Sequence, residues 1–418
     1  MQKHTGVAVI GGGASGFAAA IAAAQILKQP FSVTLLEGAP KVGRKLLATG
    51  NGRCNLTNMH ATVKHYYGNP GAVEAILHTY PPKRLIEWFR EMGLLCKEET
   101  QGRVYPHSLQ ASSVLDMLRL RAETLQVETI CEFPVCRLKN ENGVFFIESV
   151  NGQTLIAKKV ILATGGKAAP QLGCGINGYA LASSFGHIVT PLYPALTALK
   201  TPPEFVKGLK GMRCPVTAVL KCNGKVICLE KGEVQFTEQG LSGICMFQFS
   251  RHVALLCAKR RQPEVILDFM PEHTVFTITK QLEYTAQLFP NQPAAELLKG
   301  FINKLVGESI VKRVLSNKKN AAAKELRKTD LTNIANAIKG LAFPCIGVTD
   351  WKQAQTTAGG VSLRQISGNL ESTRCKGLYF SGEILNIDGE CGGYNLHWAW
   401  ISGITAGKAA AKSIKRTK

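Results

Sequence analysis

Residues 7 to 37 constrain the fold more than any other stretch of the chain. Val7-Ala8-Val9-Ile10 is a short apolar run that ends on Gly11-Gly12-Gly13-Ala14-Ser15-Gly16. An Ala-rich stretch from Phe17 to Leu27 follows, then Phe31 to Leu36, then Glu37. Strand, glycine turn, helix, strand and acid in this order make the opening βαβ unit of a dinucleotide-binding fold. Gly11 takes the tight turn, Gly13 lets the backbone approach a pyrophosphate, and Gly16 admits close helix packing. Ala14 and Ser15 open the helix, whose first N–H groups face the phosphates. Glu37 lies 21 residues after Gly16, where an acid accepts ribose hydroxyls and disfavours a 2′-phosphate.

Three more segments carry the same texture. From Gly43 to Asn58 the chain is glycine-rich and polar. Lys45 and Arg53 there can neutralise phosphate or steady a reduced ring. Asn51, Gly52 and Asn55 supply amides and close backbone approach. Cys54 is open to three readings: proton donor, redox thiol, or small packed residue, and the adjacent Arg53 could lower its pKa. Val144 to Val150 and Leu155 to Leu162 read as hairpin arms, the second ending on Ala163-Thr164-Gly165-Gly166. Near the C-terminus, Leu378 to Phe380 reads as a strand before Gly382-Glu383. Asp388 and the Gly392-Gly393-Tyr394-Asn395 turn then lead into a helix from Leu396 to Ala411. A helix starting after two glycines directs N–H groups at an electron-rich ring edge. His397 sits in its first turn.

At 418 residues the chain is too long for one core. Prolines 191, 194, 202 and 203 mark a change of texture. Val216 to Leu220, Val226 to Leu229 and Val265 to Phe269 read as short strands, separated in part by turns at Asn223-Gly224 and Lys231-Gly232. Residues 275 to 340 shift toward helix, with Leu297, Leu298, Phe301, Ile302 and Leu305 as an apolar helical stripe. The division expected is a first cofactor segment 1–190, an inserted β-rich domain 191–272, a small helical domain 273–340, a return 341–352, and a second cofactor segment 353–418.

The 50 Lys and Arg against 29 Asp and Glu give a net charge of +21, which attracts polyanions. Lys207, Lys210 and Arg213, then Lys259, Arg260 and Arg261, then Lys312, Arg313, Lys318, Lys319, Lys324, Arg327 and Lys328 are basic groups that could converge on nucleic acid. The 13 cysteines show no CxxC pair, which speaks against zinc and iron–sulfur sites. No leader precedes Val7 and no apolar run reaches membrane length, so a cytoplasmic protein without membrane contact is expected.

Taken together, the opening glycine turn, Gly43 to Asn58, Ala163 to Gly166, Thr357 to Val361 and Gly382 to Ala406 resemble the YhiN-like bacterial flavoproteins, the BaiN/RdsA family. The resemblance covers nearly the whole chain. It implies an α/β fold: a Rossmann-like FAD-binding domain of glutathione-reductase type with an inserted β-barrel domain and a small helical domain. It carries Gly11, Gly13, Gly16 and Glu37 to FAD binding, and Lys45, Asn51, Arg53, Cys54 and Asn55 to the loop beside the flavin. Gly382, Glu383, Asp388, Gly392, Gly393, Tyr394 and Asn395 are carried to cofactor closure. It implies reduction of an activated carbon–carbon double bond, with NAD(P)H as the expected electron donor. Cys54, His397, Tyr394 or a water stand as alternative acids. One branch of the family acts as a dihydrouridine synthase on 23S ribosomal RNA, and another reduces unsaturated steroid intermediates. Charge favours RNA or a pre-ribosomal particle as the partner. A small steroid-like enone is the alternative, and a flavin-containing RNA-binding factor without turnover is a third.

Overall fold

The computed structural model describes residues 3–173, 176–316 and 320–415. Cys391 is within these ranges, whereas Lys318, Lys319, Arg416 and Lys418 are outside them. The chain divides into two compact units, residues 1–193 with 354–418, and residues 194–353.

The first unit is built on one sheet. Strand β1 (Lys3–Ile10) is flanked in parallel by β2 (Val33–Leu36) and β6 (Thr154–Leu162), and β2 pairs in parallel with β3 (Glu128–Ile130). Strands β4 (Val135–Glu141) and β5 (Val144–Ser149) form an antiparallel meander on the first half of β6. The second half of β6 pairs in parallel with β7 (Leu378–Phe380), so a strand from the far end of the chain completes the sheet. Val7 to Ile10 are buried, as expected of a central parallel strand covered on both faces.

Helix α1 (Ala14–Leu27) follows β1 and is buried from Ser15 through Ala24. Seven alanines among its fourteen residues explain how it can be enclosed on all sides. Helix α2 (Tyr394–Lys415) packs directly on it. Gly403 and Gly407, one turn apart, form the seam: a Cβ on Gly403 would lie 2.3 Å from the Ser15 carbonyl, and one on Gly407 would lie 2.2 Å from the Ala19 carbonyl.

The second unit has a seven-stranded sheet. Its order runs Leu341–Pro344, Pro263–Asp268, Arg213–Cys222, Lys225–Phe236, Gly240–Ser242, Leu199–Lys200 and Gly347–Val348. The pairing is an open path. No pairing joins its two ends among the described residues, so the supported description is a sheet with helices rather than a closed barrel. Helices Ile244–Ala258, Val275–Leu288, Lys304–Leu315 and Lys328–Lys339 contribute to the same hydrophobic core as the sheet.

Two sequence expectations fail here for physical reasons. Lys231-Gly232 is no turn: Gly232 sits inside the Lys225–Phe236 strand opposite Val216. Cys245 packs beside it, with its Cβ 3.4 Å from where a Cβ on Gly232 would lie, an ordinary contact. The apolar stripe from Leu297 to Leu305 is no continuous helix. Residues Ala294–Leu298 form a 3-10 turn, and a new helix starts at Lys304, capped by the Asn303 side chain, which accepts from the Leu305 N–H at 3.0 Å. Leu297 and Leu298 are buried while Leu305 is exposed. The Asn223-Gly224 turn does form, with both residues at positive φ as a tight hairpin requires.

Candidate active site and cofactor cavity

The end of β1 places Gly11 beside the end of β6. Gly11 has φ +115°, and a Cβ on it would lie 2.4 Å from the Ala163 carbonyl. A Cβ on Gly16 would lie 1.8 Å from the Gly11 carbonyl, so no other residue fits there. Gly13 is different: a Cβ on it would meet nothing within 4 Å. It is the N-cap of α1 and offers no side-chain cap, which leaves the helix's first N–H groups for another acceptor.

Gly11, Gly13 and Ala163 line a cavity of about 460 Å³ wholly within the first unit. At one end stand Glu37 and the Phe133-Pro134-Val135 wall; at the other stand Lys45, Thr356, Glu383, Asn395 and Ala399. Glu37 is held by two backbone donors, Gly12 N–H on Oε2 and Ala39 N–H on Oε1, both at 2.8 Å. Each oxygen keeps a further acceptor site for a ribose hydroxyl. Glu383 accepts from Lys45 Nζ at 2.6 Å, from Thr357 N–H at 2.8 Å and from Thr356 Oγ1 at 3.3 Å. Asn395 is used at both ends of its amide: Oδ1 accepts from Gly389 N–H and Nδ2 donates to the Gly389 carbonyl, each at 2.8 Å.

FAD fits this set of residues. The open backbone at Gly13 has nothing above it, and the Thr164 hydroxyl on the cavity wall is buried without a hydrogen-bond partner. Glu37 would hold the adenosine end and the start of α1 the pyrophosphate. Lys45, Glu383 and Asn395 would border the redox-active ring.

The structure brings Gly11, Gly13, Ala14, Ser15, Glu37, Lys45, Thr164, Gly165, Glu383 and Asn395 to the cavity wall. Gly16 and Gly382 stand behind it. Gly382 has φ +77°, and a Cβ there would lie 2.5 Å from Ser15 Oγ. Asn51 and Gly52 are exposed residues of a 3-10 turn and do not line the cavity. Asp388 is buried in the Ile387–Gly389 strand. Gly392 and Gly393 form the turn before α2, with the Gly392 carbonyl accepting from Asn58 Nδ2 at 2.9 Å. Asn55 is beneath that turn, where its Oδ1 would be 2.7 Å from a Cβ on Gly393. Tyr394 stacks on His65 with ring centroids 4.4 Å apart.

The three residues read as catalytic from sequence are outside the cavity wall. Arg53 bonds Glu99 at 2.6 Å and lies 4.2 Å over the Tyr105 ring. Cys54 is fully buried, and burial pushes its thiol up to about 12, opposite to the lowering expected from Arg53. His397 is fully buried with Nδ1 2.6 Å from Thr57 Oγ1. Burial lowers it to about 3, opposed in part by the nearby Tyr80 backbone. At neutral pH it is a neutral imidazole.

Several wall residues escaped the sequence reading. Phe133, Pro134 and Val135 carry no local motif. Thr356 and Gln355 adjoin the Thr357 landmark, which was the available signal. Asn177 and Gly178 belong to the helix Ile176–Ser184 and carry no local motif, and Cys174 lies outside the described residues.

Comparison with known proteins agrees with this site. The model of the "HI0933-like protein Rossmann domain" family matches residues 5–409. A 3-dehydro-bile acid delta(4,6)-reductase of Clostridium scindens is 36% identical over 97% of this chain and 99% of its own length. A ribosomal RNA dihydrouridine synthase of Haemophilus influenzae is 31% identical over 100% of both chains. One from Escherichia coli is 29% identical over 94% of this chain and 95% of its own. Among solved structures, a 3-ketosteroid delta1-dehydrogenase from Sterolibacterium denitrificans has TM-score 0.54 at 13% identity, covering 99% of this chain and 100% of that one. The E. coli quinol fumarate reductase FrdA has TM-score 0.53 at 16% identity, covering 100% of this chain and 72% of that one. Those two likenesses concern the fold. With the family model spanning nearly the whole chain and a cavity suited to the dinucleotide, the chain belongs to the HI0933-like (BaiN/RdsA) flavoprotein family and is an FAD-dependent oxidoreductase.

Proposed function

We propose that this enzyme reduces a carbon–carbon double bond conjugated to a carbonyl in a small, largely apolar, steroid-like molecule. The observation that carries the reading is the 36% identity to the bile acid reductase over 97% of this chain, against 31% and 29% for the two ribosomal RNA enzymes. It replaces RNA, the substrate that charge favoured, as the leading candidate. Bound FAD supplies the hydride equivalent for such a reduction. The chain's own residues hold the dinucleotide through Glu37 and the start of α1, and fix the ring border through the Lys45–Glu383 pair. Reduced nicotinamide nucleotide is the proposed electron source.

One cation of the second unit's basic groups, Arg313, is engaged inside the unit. Arg313 points inward, 4.8 Å from the Phe205 ring and 4.6 Å from the Phe343 ring, and it bonds the Phe205 and Ala342 carbonyls. Lys210 and Arg213 are paired with Glu238 and Glu233. The RNA reading keeps one specific support, the net charge of +21 together with relatives named for ribosomal RNA.

The deciding experiment reduces the FAD-loaded protein anaerobically and mixes it with either a 4,6-dien-3-one steroid or a 23S ribosomal RNA transcript. The flavin spectrum is followed and products are identified by mass spectrometry. Reoxidation by the dienone with a saturated product is the expected result. Reoxidation by the transcript alone, with dihydrouridine formed, overturns the proposal in favour of RNA.

A further inference from the structure

A second cavity, of about 820 Å³, opens in the first unit on the C-terminal half of α2. Its walls carry Lys159 from β6, Lys376 from the turn before β7, and Lys408 and Lys412 from α2. The one carboxylate on the wall is Glu371, whose Oε1 is occupied by the Gly377 N–H at 2.8 Å. None of the four lysines forms an ion pair or hydrogen bond among the described residues. Lys408 is steadied instead by the Tyr80 ring, its Nζ 5.2 Å from the centroid, while Arg84 covers the same ring at 4.9 Å. Four lysines against one carboxylate, which keeps its charge and its second oxygen, leave a concave surface with net positive charge.

The helix terminus does not cancel this. The C-terminal end of α2 contributes about half a negative charge, against several full positive ones. Nor is the cavity a continuation of the flavin chamber. That chamber touches α2 at Asn395 to Ala399 and the second cavity touches it from Thr405 onward, about 9 Å further along the axis at 1.5 Å per residue.

We propose that this second cavity binds a small ligand carrying two or more phosphate groups. Lysine is the fitting residue: a compact charge with three donors that meets phosphate without a fixed fork geometry. A cavity of a few hundred cubic ångströms suits a small molecule. Lys159 gives further support, because burial pushes its ammonium down and Glu371 only in part restores it. A bound phosphate would supply the counter-charge that the protein leaves out.

The test is isothermal titration of the FAD-loaded full chain with inorganic triphosphate, with ATP, and with a short single-stranded RNA. Saturable binding of triphosphate or ATP at one site per chain is expected. Tighter binding of ATP would show that a nucleoside adds contacts, and equal binding that the phosphates suffice; both support the site. Lys408→Gln with Lys412→Gln, two substitutions outside the flavin chamber, should weaken binding at least about tenfold, the loss of one charge-assisted contact or more. FAD content and melting temperature should not change. Lys159→Met is a second variant with the same expected direction. Absence of saturable binding of both phosphates at millimolar concentration overturns the proposal. So does unchanged binding by the double variant, or RNA binding through these lysines without binding of the small phosphates.

Discussion

Replacing Gly403 by Ala sets two opposed effects against each other, and the structure decides which wins. Alanine in a helix interior is favoured over glycine by about 1 kcal/mol. Here, however, the new Cβ would lie 2.3 Å from the Ser15 carbonyl oxygen and 2.9 Å from the Ala18 Cβ. Close carbon–oxygen contacts settle near 3.3 Å or beyond, so the α1–α2 seam must open by roughly 1 Å. The obstructing atom is backbone, which cannot swing away. Overpacking of this kind costs up to about 3 kcal/mol, and a gap near 1 Å forfeits up to about half of each neighbouring dispersion contact. The net expectation is a loss of about 2 kcal/mol. Ser15 is in the first turn of α1, so the displaced helix also misplaces the N–H groups meant for the pyrophosphate. Urea denaturation of the apoprotein should show a lower midpoint, and the variant should release FAD more readily on gel filtration. An apoprotein as stable as the parent, or more so, would refute the reasoning, because helix propensity would then have outweighed the clash.

Glu383→Ala removes the acceptor shared by Lys45, Thr356 and Thr357. With the carboxylate side chain 20% exposed and Lys45 29% exposed, about 1–2 kcal/mol of support is expected to go. FAD affinity should fall about tenfold in a fluorescence titration, and an unchanged affinity would remove Glu383 from the cofactor site. Cys54, buried and pushed up to about 12, should resist a disulfide reagent at pH 8 while exposed Cys136 reacts; equal labelling of both in a peptide map would contradict the buried placement. Cys54→Ala should correspondingly retain reductase turnover. His397 binds its proton only near pH 3 when folded but near 6.5 when unfolded. Its contribution is therefore constant above pH 6.5 and turns against the folded state below it, by up to about 1.4 kcal/mol per pH unit. His397→Gln should flatten the fall in denaturation midpoint between pH 6.5 and 5, and an unaltered slope would assign that fall to other groups.

What the sequence made legible was what spacing alone can encode. Gly11, Gly13 and Gly16 have separate duties fixed by their intervals, and all three show the close approach or open backbone those duties require. The strand at Leu378–Phe380 and the helix starting after Gly393 were readable for the same reason: a turn signal abuts an apolar run. What spacing cannot encode is which distant residue fills a gap. Gly232 reads as a turn until its strand pairing with Val216 is seen. Leu297 to Leu305 keeps a helical period across a break by coincidence: Leu297 and Leu298 are buried on a 3-10 turn, while Leu305 is exposed on the following helix. Cys54 beside Arg53 suggested a thiolate, yet neighbours in sequence leave a turn in different directions. Arg53 goes to Glu99 and Tyr105 while Cys54 goes inward.

The same distinction bears on charge. A net charge of +21 is a statement about long-range potential, and it treats every cation alike. Recognition of phosphate depends on which cations remain available at short range. Arg313 contributes to the total but is committed to two aromatic rings and two backbone carbonyls. Lys45 contributes to it but is committed to Glu383. Lys159, Lys376, Lys408 and Lys412 are spread over 254 positions of sequence, from 159 to 412, and so formed no run to notice. They nevertheless line one cavity together with a single carboxylate, Glu371. A basic run in sequence does not by itself say where an anion would sit. Ammonium groups that the fold brings together in excess over carboxylates are what the proposed site rests on.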